Sequence, residues 1–253
     1  MDDRIMSPFS PSDLARNLLI STIHTSEAIS ELLIHENFSG IQVAFPVSGA
    51  YTLYRAHMES SAHALWLMRP TAAKARRRNA LRLWCGEIEH FNSFAGEWKQ
   101  TFPASEPRSY DELLEVALAV GIDAGGKSPL KAWPSPGSTF VMRQIEPFHE
   151  DRVMTWLNAW QLCSGFAHGK RWAYLAFSEL VPSYGENSTQ EGLQRKIRGS
   201  GAVLATIAYE AGQLFDAACK RYTQLATTGS PSWDGFPLSG QTTPLPAWLQ
   251  GLK

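Results

Sequence analysis

Four polar residues in two apolar stretches have the types and the spacing of an acid–base site. The stretch WLNAWQLCSGFAHGKRW, residues 156–172, is apolar on most sides but contains Ser164 and His168 four residues apart. The earlier stretch YRAHMESSAHALW contains Arg55 and Glu59 at the same spacing. Residues four apart lie on one face of an α-helix. A histidine there can move a proton while an arginine stabilises an anion such as a phosphate, so we predict a site formed by these four residues.

The two stretches can form this site only if they become neighbouring core helices. Buried polar side chains need hydrogen-bond partners inside the protein, and each stretch supplies partners for the other. On a helical wheel, Arg55 and Glu59 lie within or beside the apolar stripe, whereas His57 points away from it. A structural alternative stays open: the same residues form a buried polar network that ties the two helices together, and the protein is a non-catalytic interaction module.

The arrangement resembles that of uncharacterised bacterial all-helical proteins of the HEPN-like kind. Those proteins pair a helix bearing Arg-x3-Glu, here Arg55 and Glu59, with a later helix bearing Ser-x3-His-Gly, here Ser164, His168 and Gly169. HEPN proteins are helical bundles, and many are RNA-cleaving toxins or defence proteins. The resemblance implies that these residues form the corresponding site in this chain.

The resemblance extends over residues 50–174 and implies RNA binding or metal-independent RNA cleavage in a defence or toxin role. HEPN proteins place their site at an Arg-x4-6-His motif near the end of a helix. That arginine would stand at positions 161 to 163, where this chain has Gln161, Leu162 and Cys163. Cleavage by the family mechanism is therefore expected only if Arg55 supplies the charge from the neighbouring helix.

A third alternative is a di-iron oxidase. Two Glu-x-x-His pairs occur, Glu87 with His90 and Glu146 with His149. Carboxylate-bridged di-iron bundles use two such pairs together with one glutamate from each of two further helices. The further glutamates would be Glu59 and either Glu31 or Glu210. Pro147 places the second pair at or before a helix start, which argues against this alternative.

A basic run could contact phosphate or RNA. Its members are Lys74, Arg76, Arg77, Arg78 and Arg82. Because they cover most of a helix circumference, a solvated helix start is the other interpretation, although cations are unfavourable near a helix N-terminus. The segment Gly125-Gly-Lys-Ser128 lacks the glycine spacing of a phosphate-binding Walker loop.

Composition narrows the class of protein. The 253 residues are 44% hydrophobic and 19% charged with a net charge of −1, which gives no general attraction to nucleic acid or anionic membranes. Cys85, Cys163 and Cys219 lack the spacing of a zinc or disulfide framework. No signal core and no run of ~18 apolar residues occurs. We expect a cytoplasmic protein with no cofactor, metal or membrane contact, whose partner is RNA or a protein, with a homodimer left open.

Hydrophobic periodicity predicts an all-α fold, a single-domain bundle of five to six main helices over residues 11–226. Residues 1–10 are predicted to be a loose lead-in, and residues 227–253 an irregular tail packed on the bundle. The Gly- and Pro-rich segment 122–147 is predicted to be a long irregular loop. No strand of useful length is predicted. The predicted helices run from Ser10 or Ser12 to about His35, from Pro46 to Arg69, from Thr71 to about Gln100, from Ser109 to Gly121, across residues 156–172 with a loose continuation to Val181, and from about 189 to 226.

Overall fold

The computed structural model describes residues 6–37, 40–43, 48–98, 109–150, 152–183 and 194–227 of the chain. These residues are mainly helical, which confirms the all-α class. The helices of the described part are α1 (Pro11–Leu33), α2 (Gly49–Met68), α3 (Ala73–Trp98), α4 (Asp111–Ala119), α5 (Pro129–Ala132), α6 (Ser138–Ile145), a 3-10 turn (Glu146–Phe148), α7 (Trp156–Ala167), α8 (Arg171–Phe177) and α9 (Gly201–Ala226). Two short antiparallel hairpins accompany them, formed by β1 (Ile34–Asn37) with β2 (Gly40–Val43) and by β3 (Ser178–Ser183) with β4 (Gln194–Gly199).

The start of α1 follows its capping signals. Ser10 is the N-cap, and its hydroxyl accepts a hydrogen bond from the Asp13 amide at 3.2 Å. Pro11 occupies the first turn, where its missing N–H has no cost. Met6 and Phe9, which belong to the segment predicted to be loose, are buried. The described part of the lead-in therefore contributes to the core.

The central element is α2. It packs against α1, α9, α7, α6 and α3. Because neighbours surround it, side chains on several faces are buried: Tyr51, Tyr54, His57, Met58, Ser61, Leu65 and Trp66 among them. A helix enclosed in this way has no single solvent face, so its amphipathic pattern is a poor guide to which polar residue is buried.

His57 shows the consequence, because the prediction that it points away from the core is wrong. Its side chain is buried between α1 and α9. His57 Nδ1 lies 3.1 Å from Ser26 Oγ, and Nε2 lies 3.2 Å from the carbonyl oxygen of Ala211. Burial lowers the pKa of His57 below its ordinary value of 6.5. The residue is a polar link between three helices.

The segment predicted to be an irregular loop is largely helical, since it contains α5, α6 and the 3-10 turn. α6 buries Val141, Met142 and Ile145 against α2 and α7. These three apolar residues have helical spacing, but the helix is only eight residues long and lies between proline-rich segments. A periodic signal of that length is too short to outweigh the surrounding Gly and Pro.

The two hairpins were not predicted. β1 follows α1 without a break, with Ile34 opposite Val43. β4 occupies residues 194–199, where the sequence predicted the first turns of the last helix. Strands of four to six residues are barely long enough to show the apolar–polar alternation typical of a strand. The sequence therefore gives no clear signal that separates them from helix or loop.

Other boundaries agree with the predictions within a few residues or cannot be compared. α3 and α4 lie inside their predicted spans. Just before α4, Ser109 Oγ accepts from the Asp111 amide at 3.0 Å. The predicted irregular tail beyond residue 227 falls outside the described part of the chain. Within the described residues, no helix is both long enough and apolar enough to cross a membrane.

Candidate functional site

His168 stands at the exposed C-terminal end of α7. It is the C-cap residue, and Gly169 follows with a φ of +62°, a conformation that favours glycine. The Lys170 amide donates to the Gly165 carbonyl at 2.8 Å, and the Gly169 amide donates to the Phe166 carbonyl at 3.0 Å. This pair of bonds is the Schellman arrangement. It ends the helix sharply and leaves the imidazole at the surface.

α8 turns back against the same end of α7. The close approach depends on Gly165, because a Cβ at this position would lie 2.6 Å from the ring of Trp172. Half of the Trp172 surface is still exposed. An exposed indole is therefore fixed on the helix end that carries His168.

Arg55, near the middle of α2, reaches His168. Arg55 Nη1 lies 2.9 Å from His168 Nε2. A guanidinium can only donate, so Nε2 must accept, and in this contact the imidazole is neutral with its proton on Nδ1. The contact joins two residues that are 113 positions apart in the chain. The arginine that α7 itself lacks is thus provided by α2.

Glu59 and Trp160 hold Arg55 in position. Arg55 Nε donates to Glu59 Oε1 at 3.3 Å, and Nη2 lies 3.3 Å from the same oxygen. That oxygen also accepts from Trp160 Nε1 at 2.9 Å. The carboxylate of Glu59 is therefore fixed by both helices, and it orients the guanidinium towards His168.

The sequence prediction missed Trp160, although a signal was present. Trp160, Ser164 and His168 are spaced by four residues along one face of α7, which matches the spacing of Arg55 and Glu59 on α2. An indole N–H inside a helix interface needs an acceptor, and a glutamate on the facing helix supplies one.

Ser164 does not join the other three predicted site residues. Its carbonyl accepts the helical hydrogen bond of the His168 amide at 3.0 Å. Among the residues that the structure describes, none makes a hydrogen bond with its hydroxyl. The contacting cluster therefore consists of Arg55, Glu59, Trp160 and His168, which we call the Arg–His cluster.

The Arg–His cluster is open to solvent on one side. The side chains of Arg55 and Glu59 are 28% and 27% exposed, and His168 is exposed as well. A network whose only role is inside the core would be shielded from water. This cluster instead lies at the rim of the α2–α7 interface, where a ligand can reach the imidazole and the guanidinium.

The second Glu-x-x-His pair is part of a separate buried cluster. His149 Nδ1 lies 3.2 Å from Glu146 Oε1, and Nε2 lies 2.7 Å from Glu210 Oε2 on α9. No group of three or more potential ligands in the described residues has the arrangement of a metal site. The geometry gives no support to the di-iron alternative.

The basic run on α3 is divided between protein contacts and solvent. Arg76 Nη1 donates to the carbonyls of Pro70 at 2.9 Å and Thr71 at 2.6 Å, which lie just before the helix. Lys74 and Arg78 are exposed. The run is therefore neither a uniform contact strip nor a uniformly solvated helix start.

Comparisons with known proteins add no relatives. No protein-family model matches the chain, and searches of curated proteins and of solved structures found no match to it. What the Arg–His cluster can do must therefore be judged from its own chemistry.

Proposed function

We propose that the Arg–His cluster is a metal-independent RNA-cleaving site of the HEPN-like kind. The observation that carries this proposal is the 2.9 Å contact between Arg55 Nη1 and His168 Nε2. A proton-transferring imidazole beside a permanent cation is the pair that such cleavage needs. The absence of an arginine at positions 161–163 does not argue against the proposal, because Arg55 supplies the guanidinium from α2.

In the proposed reaction, the 2′-hydroxyl of the RNA attacks the adjacent phosphorus. Neutral His168 takes the hydroxyl proton as the oxygen–phosphorus bond forms. The bond to the 5′ oxygen then breaks, and that oxygen takes a proton from the imidazolium or from water. The products are a 2′,3′-cyclic phosphate and a 5′-hydroxyl, so atoms and charge balance without a metal.

During this reaction, Arg55 exchanges its contact with His168 for a contact with the phosphate. In the structure its Nη1 occupies the lone pair of His168 Nε2. When a phosphate enters, the guanidinium can transfer this donor to a phosphoryl oxygen, which frees Nε2 to accept the proton and balances the charge of the transition state. Glu59 and Trp160 are positioning residues, since they act on RNA only through Arg55.

The residues that follow His168 support RNA as the substrate class. Lys170, Arg171 and Trp172 are all exposed at the turn into α8. Basic side chains attract the phosphate backbone, and an exposed indole provides a surface on which an unpaired base can stack. A defence or toxin role for such an activity is part of the same proposal.

The test is cleavage of a mixed-sequence RNA pool in the presence of EDTA. We expect the parent protein to cut it and His168→Ala to lose about 100-fold or more of the rate, the contribution usual for a general base. His90→Ala is the matched control, because His90 is exposed on α3 outside the cluster. Arg55→Lys should retain more activity than Arg55→Ala, because it keeps a charge but loses the planar fork.

Circular dichroism must show that each variant is folded. Cleavage products that end in a cyclic phosphate would support the mechanism as written. If the folded parent does not cut RNA, or if His168→Ala cuts as fast as the parent, the proposal is wrong.

A non-catalytic interaction module is the second candidate, and the Trp160–Glu59 bond favours it. That bond joins α7 to α2 through an indole that is 9% exposed. If joining the helices is the only role, Glu59→Gln and His168→Ala should each lower the free energy of unfolding and leave RNA untouched. Urea unfolding of the same variants thus separates the two candidates.

A further inference from the structure

A cleft lies between the later part of the basic run on α3 and the segment that follows α4. Its volume is about 420 Å³, within the range of roughly 300–1,000 Å³ that small-molecule sites occupy. Arg78 and Arg82 line it from α3, and Lys127 lines it from the facing segment. None of these residues belongs to the Arg–His cluster.

The cleft has an excess of positive charge. Three cations and the single carboxylate of Asp123 line it, which gives a net charge of +2 for the lining side chains. Asp123 is also engaged in its own turn, where Oδ1 accepts from the Gly125 amide at 2.9 Å. A concave surface with one dominant sign of charge concentrates the field and attracts an anion. The chain as a whole has a net charge of −1, so this local excess is not a by-product of composition.

Arg82 is held rigidly at the cleft. Its Nε donates to the Pro134 carbonyl at 2.9 Å, and its guanidinium carbon lies 5.2 Å from the Trp66 ring centre and 5.4 Å from that of Phe140. Pro134 uses one of the five guanidinium N–H donors, and the others are on Nη1 and Nη2, the edge that matches a phosphate. Burial lowers the pKa of Arg82, so an anion beside it would relieve part of the cost of desolvating its charge.

Lys127 is brought to the cleft by an unusual turn. Gly125 and Gly126 have φ values of +60° and +71°, two consecutive left-handed residues that only glycine adopts readily. The turn closes with the Lys127 amide donating to the Ala124 carbonyl at 3.2 Å. The floor of the cleft is closed by Trp133, which is 2% exposed. A fixed arginine, a positioned lysine and an apolar floor have the form of a binding site for a small anion.

We propose that this cleft binds a phosphate monoester, with Arg82 as the fixed fork and Arg78 and Lys127 as flanking cations. The group could be that of a free nucleotide or the 5′-phosphate of an RNA end, because the three cations recognise the same dianion in both. The site is independent of the proposed RNA-cleaving site, since the two share no residue.

Isothermal titration calorimetry with inorganic phosphate, AMP and adenosine tests the proposal. Arg78 and Lys127 are exposed, so Arg78→Gln and Lys127→Gln should fold normally. We expect each to weaken AMP binding about tenfold, the loss of one charge-assisted hydrogen bond. Lys74→Gln is the matched control, because Lys74 is exposed one helical turn earlier on α3 and does not line the cleft. Adenosine, which lacks the phosphate, should not bind.

The proposal is overturned if neither phosphate nor AMP binds, if adenosine binds as well as AMP, or if the Gln variants at 78 and 127 bind AMP as tightly as Lys74→Gln does. Competition against AMP shows whether the bound phosphate belongs to a free nucleotide or to an RNA end. The His168→Ala variant is used for this measurement, because it protects RNA from the proposed cleavage. A 5′-phosphorylated oligoribonucleotide that displaces AMP, when its 5′-hydroxyl counterpart does not, identifies an RNA end. Displacement by neither oligonucleotide identifies a free nucleotide.

Discussion

Glu210 on α9 carries a carboxylate with no exposed surface. Oε1 accepts from the backbone amides of Val153 at 2.7 Å and Met154 at 2.8 Å, and Oε2 lies 2.7 Å from His149 Nε2. These contacts satisfy polar groups of the segment that leads into α7. His149 in turn stacks on the Trp156 ring, 4.3 Å between ring centres, at the first residue of that helix. Glu210 therefore fixes the segment that leads into the helix whose far end carries His168.

Replacing Glu210 with alanine should cost about 3–5 kcal/mol of unfolding free energy, the usual effect of removing one partner of a buried pair. The change leaves the Val153 and Met154 amides without their acceptor and His149 without one of its carboxylates. Urea unfolding monitored by tryptophan fluorescence measures it. Glu87→Ala is the control, because Glu87 is exposed on α3 and should change stability by no more than about 0.5 kcal/mol. Equal effects of the two changes would show that Glu210 is not an anchor.

At the scale of single residues, spacing predicted which polar side chains share a face but not which face is buried. Arg55 and His168 meet as expected, because each follows its helix register. Ser164 shares the face of His168 but makes no side-chain bond to the cluster in the described residues, since a short hydroxyl cannot span the interface that Arg55 spans. His57 was misplaced because its helix is enclosed by α1 and α9, a fact that no local pattern in α2 contains.

At the scale of the elements, the turn between α7 and α8 depends on a left-handed backbone conformation, and a glycine marks this position in the sequence. Gly169 adopts a φ of +62°, and nothing lies within 4 Å of the place where a Cβ would be. The cost of a side chain there comes from the backbone alone. Gly212 offers the opposite case, because it lies within α9, has an ordinary φ, and also has open space at its Cβ position.

Two matched glycine substitutions should therefore have opposite signs. Gly169→Ala should destabilise the protein by about 1 kcal/mol, since alanine is disfavoured in the left-handed region. Gly212→Ala should stabilise it by about 0.8 kcal/mol, because alanine loses less entropy in a helix. Thermal unfolding of both variants is the measurement. If Gly169→Ala is neutral or stabilising, the Schellman turn that presents His168 does not form in solution.

The accuracy of the element predictions followed the length of each element and the strength of its end signals. α1 and α2 are long and bounded by residues such as Pro11 and Pro70, so their spans were predictable to within a few residues. α6 and the β3–β4 hairpin are short, and their formation depends on burial against, or pairing with, distant segments. Such tertiary contributions outweigh local propensity.

At the scale of the molecule, buried apolar side chains from α1 to α9 form one contiguous cluster. The end of α9 is also joined directly to the end of α2. Arg221 near the end of α9 donates from Nε to the Met68 carbonyl at 2.9 Å and from Nη2 to the Arg69 carbonyl at 3.3 Å, which satisfies acceptors at the end of α2. These contacts favour the predicted single cooperative unit over residues 11–226, a prediction that unfolding can test.

Cys85 on α3 and Cys163 on α7 report on that unit from two separate helices. Both are fully buried, and burial raises the pKa of Cys85 to about 11 and that of Cys163 above its ordinary value. Iodoacetamide reacts with the thiolate, so at pH 8 both should resist alkylation until the core opens. In a Cys219→Ser variant, pulse alkylation across a urea series followed by peptide mass spectrometry reads both thiols in the same molecules.

We expect the two labelling curves to share one midpoint with the loss of helical circular dichroism, as a two-state unit requires. Cys85 tests the attachment of α3, which packs against α1, α2, α4 and α5. If Cys85 becomes reactive at lower urea than Cys163, α3 opens while the α2–α7 interface persists. The Arg–His cluster would then survive the loss of the phosphate cleft, because one is carried by α2 and α7 and the other by α3.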